Sequence, residues 1–379
     1  MMDYGLEFYA QRADLARIRE AFDIPACENE PVFMDYRNTA PYTPVPYAPQ
    51  AAGILAGRLL NTSPLVCHYL ARITNLAVWI LTCFFAIRAA GRFGWVLFQA
   101  ALLPMSLSLG ASLSADALTL GLAYLFIGLV AGSGDIAPPR VARRVALTTG
   151  VFVAFGLCKA YIPMWAMIFM SPVFWRIRRH LIVMATALLL TLILLTLWLC
   201  LTRHDIIQHH PRDNPEIQAA YIVQHPYVSL RIILGSFVHL GGKLRSMIGT
   251  LGWLRVILWP SIYLAYGALL CAVPLLCVGS NRLTWRVKVL LFWLCVVLHG
   301  AVYFRLYIMA TPLAHPYVVG VQGRYFLPYL PVFLLLFTHN GWRRVKLACR
   351  AHIATVLPLI NMVLLAVTTW RIVADYYLP

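Results

Sequence analysis

Fifteen of the chain's 31 lysines and arginines sit in five short connections, at 88–92, 140–144, 176–179, 282–288 and 343–350. Two apolar runs separate each of these connections from the next. No other feature restricts the fold as much. About 20 apolar residues cross the hydrocarbon core as a helix, and backbone groups in hydrocarbon must be satisfied internally, which favours helices. Two crossings between successive basic connections put all five on one side, and the positive-inside rule makes that side cytoplasmic. Spans are expected near 65–87, 94–110, 114–131, 181–201, 259–278, 288–309, 325–338 and 353–373. The runs 145–158 and 160–175 are shorter and are separated by Lys159. They are either two short crossings or one re-entrant hairpin, and in both cases the chain returns to the side it left. The expected fold is an all-α polytopic membrane protein with about 8–10 transmembrane helices. A composition 61% hydrophobic and only 12% charged, with a mean hydropathy of +0.74, agrees with it. The net charge of +17 then reports orientation rather than a nucleic-acid partner, because the basic residues interleaved with aromatics fall in apolar spans.

The alternation divides the chain into an outer-face segment, 1–64, and a transmembrane domain, 65–379, with a large outer loop at 202–258. The connections 111–113 and 310–324 and the C-terminus are also expected outside. Residues 1–64 hold eight of the fourteen acids, with helical character at 12–21. The proline run 41–49 must be extended, since closely spaced prolines exclude a regular helix. Gln50 to Leu60 reads as a short interfacial helix with Gly53 and Gly57 on one face. A first span running inward requires residues 1–64 to be exported, which predicts a further transmembrane helix upstream of Met1. In the 202–258 loop, Asn214-Pro215-Glu216 opens a helix, and 227–240 is amphipathic enough to rest on the membrane surface.

Polar residues that packing does not explain gather on the outer side. Asp116 stands at the mouth of the third span and Lys159 at the apex between the two short runs. Arg72, one turn after His68, and Arg305 lie near outer span ends. Arg324 follows Gln322 and Gly323 in the last outer loop, which also holds His315. One acid and four bases suit an anionic ligand, phosphate above all. The competing readings are that Asp116 caps its helix and that the arginines snorkel to headgroups. His204, His209 and His210 are solvated or hold a divalent metal; their spacing does not decide. The nine cysteines include no CxxC pair, which supports neither a disulfide framework nor a zinc site. Phosphate-binding loops, dinucleotide fingerprints, HExxH and a serine nucleophile elbow are not found.

Five stretches in order resemble a bacterial multi-pass family, domain of unknown function 2142. They are Tyr42-Thr43-Pro44-Val45-Pro46-Tyr47-Ala48-Pro49-Gln50-Ala51-Ala52-Gly53, Leu103-Pro104-Met105-Ser106 with Ser112 to Thr119, Lys159-Ala160-Tyr161-Ile162-Pro163, Gly249 to Leu254, and Gly320 to Pro328. That family is similar to the GT-C class of membrane glycosyltransferases. The resemblance implies a GT-C-like bundle that transfers a sugar from a polyprenyl-phosphate carrier to a cell-envelope acceptor, on the outer face of the bacterial inner membrane. It places an acidic residue just after the family's first helix, where Asp3 stands on the usual aspartate. Tyr4 replaces the usual glutamate there and Glu7 the usual histidine. By this match the family's first helix is missing from the chain and would end immediately before Met1.

The implied mechanism is a single displacement at the anomeric carbon. Asp3, with Glu7, takes the proton of the acceptor hydroxyl. Arg324, Lys159, Arg72 and Arg305, with Gln322, hold the departing phosphate, and Asp116, Tyr325 and His315 support them. Asp116 would orient Lys159 or hold a divalent cation; no cofactor is otherwise indicated. The expected partners are the lipid bilayer, a polyprenyl-phosphate-linked sugar and a cell-envelope glycan or lipid acceptor. A transporter or flippase for lipid-linked sugars and an inactive, truncated paralogue remain as alternatives.

Overall fold

The computed structural model describes residues 12–25, 39, 42–202, 215–238, 240–252, 255–276, 283–313, 315–338 and 343–378. A short helix α1 (Leu15–Glu20) is capped by Asp14, whose Oδ1 accepts from Ala16 N at 2.9 Å. Contrary to expectation, the proline run is not extended throughout: Val45–Tyr47 form a 3₁₀ turn and Pro49 sits in the first turn of α2 (Ala48–Leu59), where its missing N–H costs nothing. This helix does not lie flat at the interface as expected. It packs antiparallel along the first half of α3 (Pro64–Ala90), with Gly53 against Ala71 and Thr74 and Gly57 against Cys67. The two glycines form a small-xxx-small seam that lets the backbones approach.

Gly91, at φ 55°, turns the chain back, and α4 (Gly94–Ala101) packs against α3. The expected span 94–110 is interrupted: α5 (Pro104–Gly110) starts anew after Leu103 at φ −64°, ψ 138°. Pro104 lacks an N–H and pushes the residue before it into the extended region. Helix α6 (Asp116–Ala131) then runs parallel to α3, with Gly121 against Thr82, Gly128 against Ala86 and Gly132 against Ala89. In its most apolar stretch 83% of residues are buried, against 17–33% in the other five long apolar helices, so α6 is the central helix. Helix α7 (Val141–Cys158) begins beside the end of α3, where Arg144 Nη2 donates to Ala89 O at 3.5 Å.

Residues 162–170 descend as a nine-residue 3₁₀ run, followed by α8 (Pro172–Trp175). The two short runs therefore run in opposite directions, α7 one way and 162–175 back along it, and α7 belongs to a stretch, Pro138–Cys158, long and apolar enough to cross a membrane. Helix α9 (Arg178–Thr202) then rises parallel to α7, with Thr149 on Met184 and Gly156 against Thr191. After α10 (Pro215–Gln224), α11 (Pro226–Gly235) and α12 (Leu240–Gly249) comes a two-stranded hairpin, β1 (Thr250–Leu251) with β2 (Val256–Ile257). On α11 and its flanks, Val223, Tyr227, Leu230, Leu234 and Val238 are exposed at helical spacing, the apolar stripe expected of a membrane-surface helix.

Helices α13 (Pro260–Leu276) and α14 (Trp285–Met309) follow, then a 3₁₀ stretch at 323–329, α15 (Leu330–Leu335) and α16 (Arg343–Tyr377). Lys288 Nζ donates to Thr338 O at 2.8 Å, joining the start of α14 to the end of α15. The end of α16 meets both the hairpin and the N-terminal segment. Asp375 pairs with Arg255 at 3.4 Å, Tyr376 OH donates to Gly252 O, and Tyr376 O accepts from Ala13 N at 3.0 Å. Six helical stretches among the described residues are long and apolar enough to cross a membrane, and this is an all-α polytopic membrane protein.

Candidate functional site

The ends of α5, α7 and α14 and the start of the 323–329 stretch converge, as the alternation of spans requires. Asp116 opens α6 but does not cap it. Its backbone N–H takes Ser114 Oγ at 3.1 Å, and Ser114 Oγ donates to its Oδ2 at 3.2 Å. The carboxylate instead turns to Lys159, forming a buried ion pair and hydrogen bond through Oδ1. Arg324 Nη1 stands 3.8 Å from Oδ2. Lys159 is delivered here because α7 ends at Cys158 and the chain becomes extended, at φ −149°, ψ 142°.

Two further groups complete the cluster. Tyr42 lays its ring under Lys159, with Nζ 4.9 Å from the centroid, and under Arg305, with Cζ at 5.6 Å. These are cation–π distances. Thr43 fixes this stretch by donating from Oγ1 to Leu157 O at 2.6 Å. Tyr161 OH donates to Tyr325 O at 3.0 Å, and Arg324 Cζ lies 5.4 Å over the Tyr325 ring. Lys159 and Arg324 thus pair with Asp116, and Arg305 joins the cluster through the Tyr42 ring; Asp116 is the one carboxylate that pairs with any of the three among the described residues. Arg324 Nε is buried and has no hydrogen-bond partner among the described residues.

The cluster is recessed. From Arg144, at the arginine-rich end, α7 climbs about 22 Å to Lys159 at helical rise, short of a hydrocarbon core of about 30 Å. Since Gly156 lies against Thr191, residues 195–202 of α9 rise about 12 Å past the level of Lys159. An apolar groove of about 460 Å³ opens between the 162–170 stretch, α9 and α14, lined by Ile162, Pro163, Trp165, Leu188, Leu294 and Val297, among others. Lys159 precedes this lining in sequence, and Arg305 lies about two turns beyond Val297 on α14.

The other candidates lie apart from this cluster or outside the described residues. Arg72 Nε donates to Ala111 O at 2.8 Å, and Asn75 Nδ2 to Ser112 O at 2.6 Å, so together they hold the turn before Asp116. Gln322 contributes its carbonyl to Tyr325 N at 3.1 Å. His315 folds onto its own loop, with Nδ1 2.8 Å from Tyr317 O. Asp3, Glu7, His204, His209 and His210 lie outside the described residues. No group of three His, Cys, Asp or Glu placed to hold a metal occurs among the described residues; the Asp116 oxygens are engaged by Lys159, Ser114 and Arg324. Tyr42, Tyr161 and Ser114 had been read only as parts of longer stretches. The signal was there in Tyr42, an aromatic among the closely spaced prolines Pro41, Pro44, Pro46 and Pro49.

Residues 7–334 match the model of one family, described as predicted membrane protein (DUF2142), and α16 lies beyond the matched region. No curated protein and no solved structure matches the chain.

Proposed function

The chain belongs to the DUF2142 family of predicted membrane proteins, and from that premise we propose that it is a glycosyltransferase-like protein of the GT-C kind. In this reading it moves a sugar from a polyprenyl-phosphate carrier to a cell-envelope acceptor on the outer face of the bacterial inner membrane. One observation carries the reading: Lys159 and Arg324 share one buried carboxylate, Asp116, with a third cation, Arg305, on the Tyr42 ring that Lys159 also meets, and an apolar groove follows in the next stretch of chain. Three positive charges less one negative leave a surplus of two at a recessed site, where an unpaired charge is costly. A phosphate supplies the missing negative charge and the acceptor oxygens that guanidinium and ammonium groups seek, while the groove takes the apolar chain attached to it. In the transfer, the acceptor oxygen forms its bond to the anomeric carbon as the bond to the carrier phosphate breaks. Asp3, with Glu7, receives the acceptor's proton. Lys159, Arg324 and Arg305 stabilise the charge on the departing polyprenyl phosphate.

The test is sugar transfer by the full chain in nanodiscs, using a radiolabelled polyprenyl-phosphate sugar. Arg324→Gln and Asp3→Asn should each lower transfer by about a hundredfold, the size expected for loss of an electrostatic stabiliser or a general base. Full activity in both would overturn the reading. The helix break at 102–103 favours a second reading, a flippase for the same lipid, since transporters build sites from discontinuous helices. Movement of the labelled lipid between leaflets of proteoliposomes, with no acceptor present, would favour it.

A further inference from the structure

We propose that α12 is the cradle that aims Arg324, with Gly323 and Ser246 as positioning residues; the proposal rests on the anion-holding reading above. The three cations are held differently. Lys159 is fixed at the end of α7, and Arg305 is built into α14. Arg324 follows a connection whose described residues, 310–313 and 315–322, form no helix or strand. A long side chain on such a stretch points reproducibly only if its backbone is pinned.

The pin is a contact between backbones. Gly323 N donates to Ser246 Oγ at 2.9 Å, and Ser246 Oγ in turn donates to Lys243 O at 3.0 Å. The hydroxyl thus spends its proton inside α12 and offers its lone pair to Gly323. A Cβ on Gly323 would run into Lys243 O and Met247 N, both main-chain atoms of α12, and would meet Ser246 Oγ at 2.5 Å. Residues 243, 246 and 247 share one helical face, so only a glycine lets the strand preceding Arg324 lie in that cradle.

The cradle is itself anchored. Lys243 Nζ donates to Ser236 O at 2.8 Å and to the hydroxyl of Tyr303 on α14. Ser236 Oγ accepts from Val318 N at 2.9 Å. The connection before Arg324 is therefore fastened to the α11–α12 segment at residues 318 and 323, and that segment is fastened to the helix that carries Arg305.

A double-mutant cycle tests this. The full chain in nanodiscs is titrated with a fluorescent polyprenyl phosphate, and separately with inorganic phosphate, for Gly323→Ala, Ser246→Ala, Arg324→Gln and the Gly323→Ala/Arg324→Gln pair. Arg324→Gln is expected to weaken polyprenyl phosphate binding by about tenfold or more, Gly323→Ala by about the same factor, and Ser246→Ala by about threefold. The pair should bind no more weakly than Arg324→Gln alone, because a residue that acts only through Arg324 has nothing left to position. Weakening toward inorganic phosphate as well assigns the effect to the phosphate itself; weakening toward the lipid alone assigns it to the lipid-borne headgroup. Both keep the proposal. Wild-type affinity in Gly323→Ala and Ser246→Ala, with affinity lost in Arg324→Gln, overturns the cradle and leaves the anion reading standing. Independent, multiplying losses in the pair also overturn it, since they mark a general structural role. Wild-type affinity in Arg324→Gln removes the anion reading and the cradle with it. If Gly323→Ala does not fold, Ser246→Ala carries the same cycle.

Discussion

Among the polar groupings inside this apolar bundle, two are built to opposite plans. Gln99 on α4 and Asn361 on α16 are both fully buried and exchange amide hydrogen bonds, 3.3 Å one way and 3.1 Å the other; Asn361 also donates to Leu357 O at 2.9 Å. That pair is neutral and closed. Its job is finished once α16 is joined to the bundle. The cluster of Asp116, Lys159, Arg305 and Arg324 is charged, uneven in sign and holds a buried donor, Arg324 Nε, with no acceptor. Polar groups in a bilayer that serve only to hold helices together satisfy one another. Those left with surplus charge await something else.

Asymmetric substitutions test that contrast most severely. Asp116→Ala strands Lys159 in a buried place, and removing one partner of a buried pair costs about 3–5 kcal/mol. A large drop in thermal midpoint in detergent is the expected result, and an unchanged midpoint would mean the pair is not buried in the membrane. The neutral pair should respond less. Asn361→Leu alone leaves the Gln99 amide unpaired at about 1–3 kcal/mol, whereas Gln99→Leu with Asn361→Leu should recover most of that loss. A double variant as unstable as the single would show that the amides do more than satisfy each other.

Arg324→Gln should separate stability from ligand holding. Its side chain is 35% exposed, so the midpoint should move little, while retention of polyprenyl phosphate through purification, read by native mass spectrometry, should fall.

How far the chain could be read in advance follows from what each inference needed. The convergence of Asp116, Lys159, Arg305 and Arg324 was legible because charge parity fixes which end of the bundle each span end occupies. That is a one-dimensional argument. It says nothing of position around the bundle, and so Arg72, on the same side, is found holding the Ala111 carbonyl instead. Pro104 announced the break in 94–110, but an apolar run across it masked the signal. Gln99 and Asn361 lie 262 residues apart, and only the packing of α16 on α4 makes them partners. The glycines of α2 were read correctly as a face, yet not as the seam against α3, because the partner helix of a small-residue stripe is a tertiary fact.

The backbone bond from Ala13 to Tyr376 makes the polypeptide, in effect, a closed loop. Nearly all of the sequence lies between the two residues that meet. Strain applied at either end is therefore carried by the same small clasp, which also includes Asp375 and Arg255. Shortening the chain at its C-terminus would release the mooring of α1, at the opposite end of the sequence.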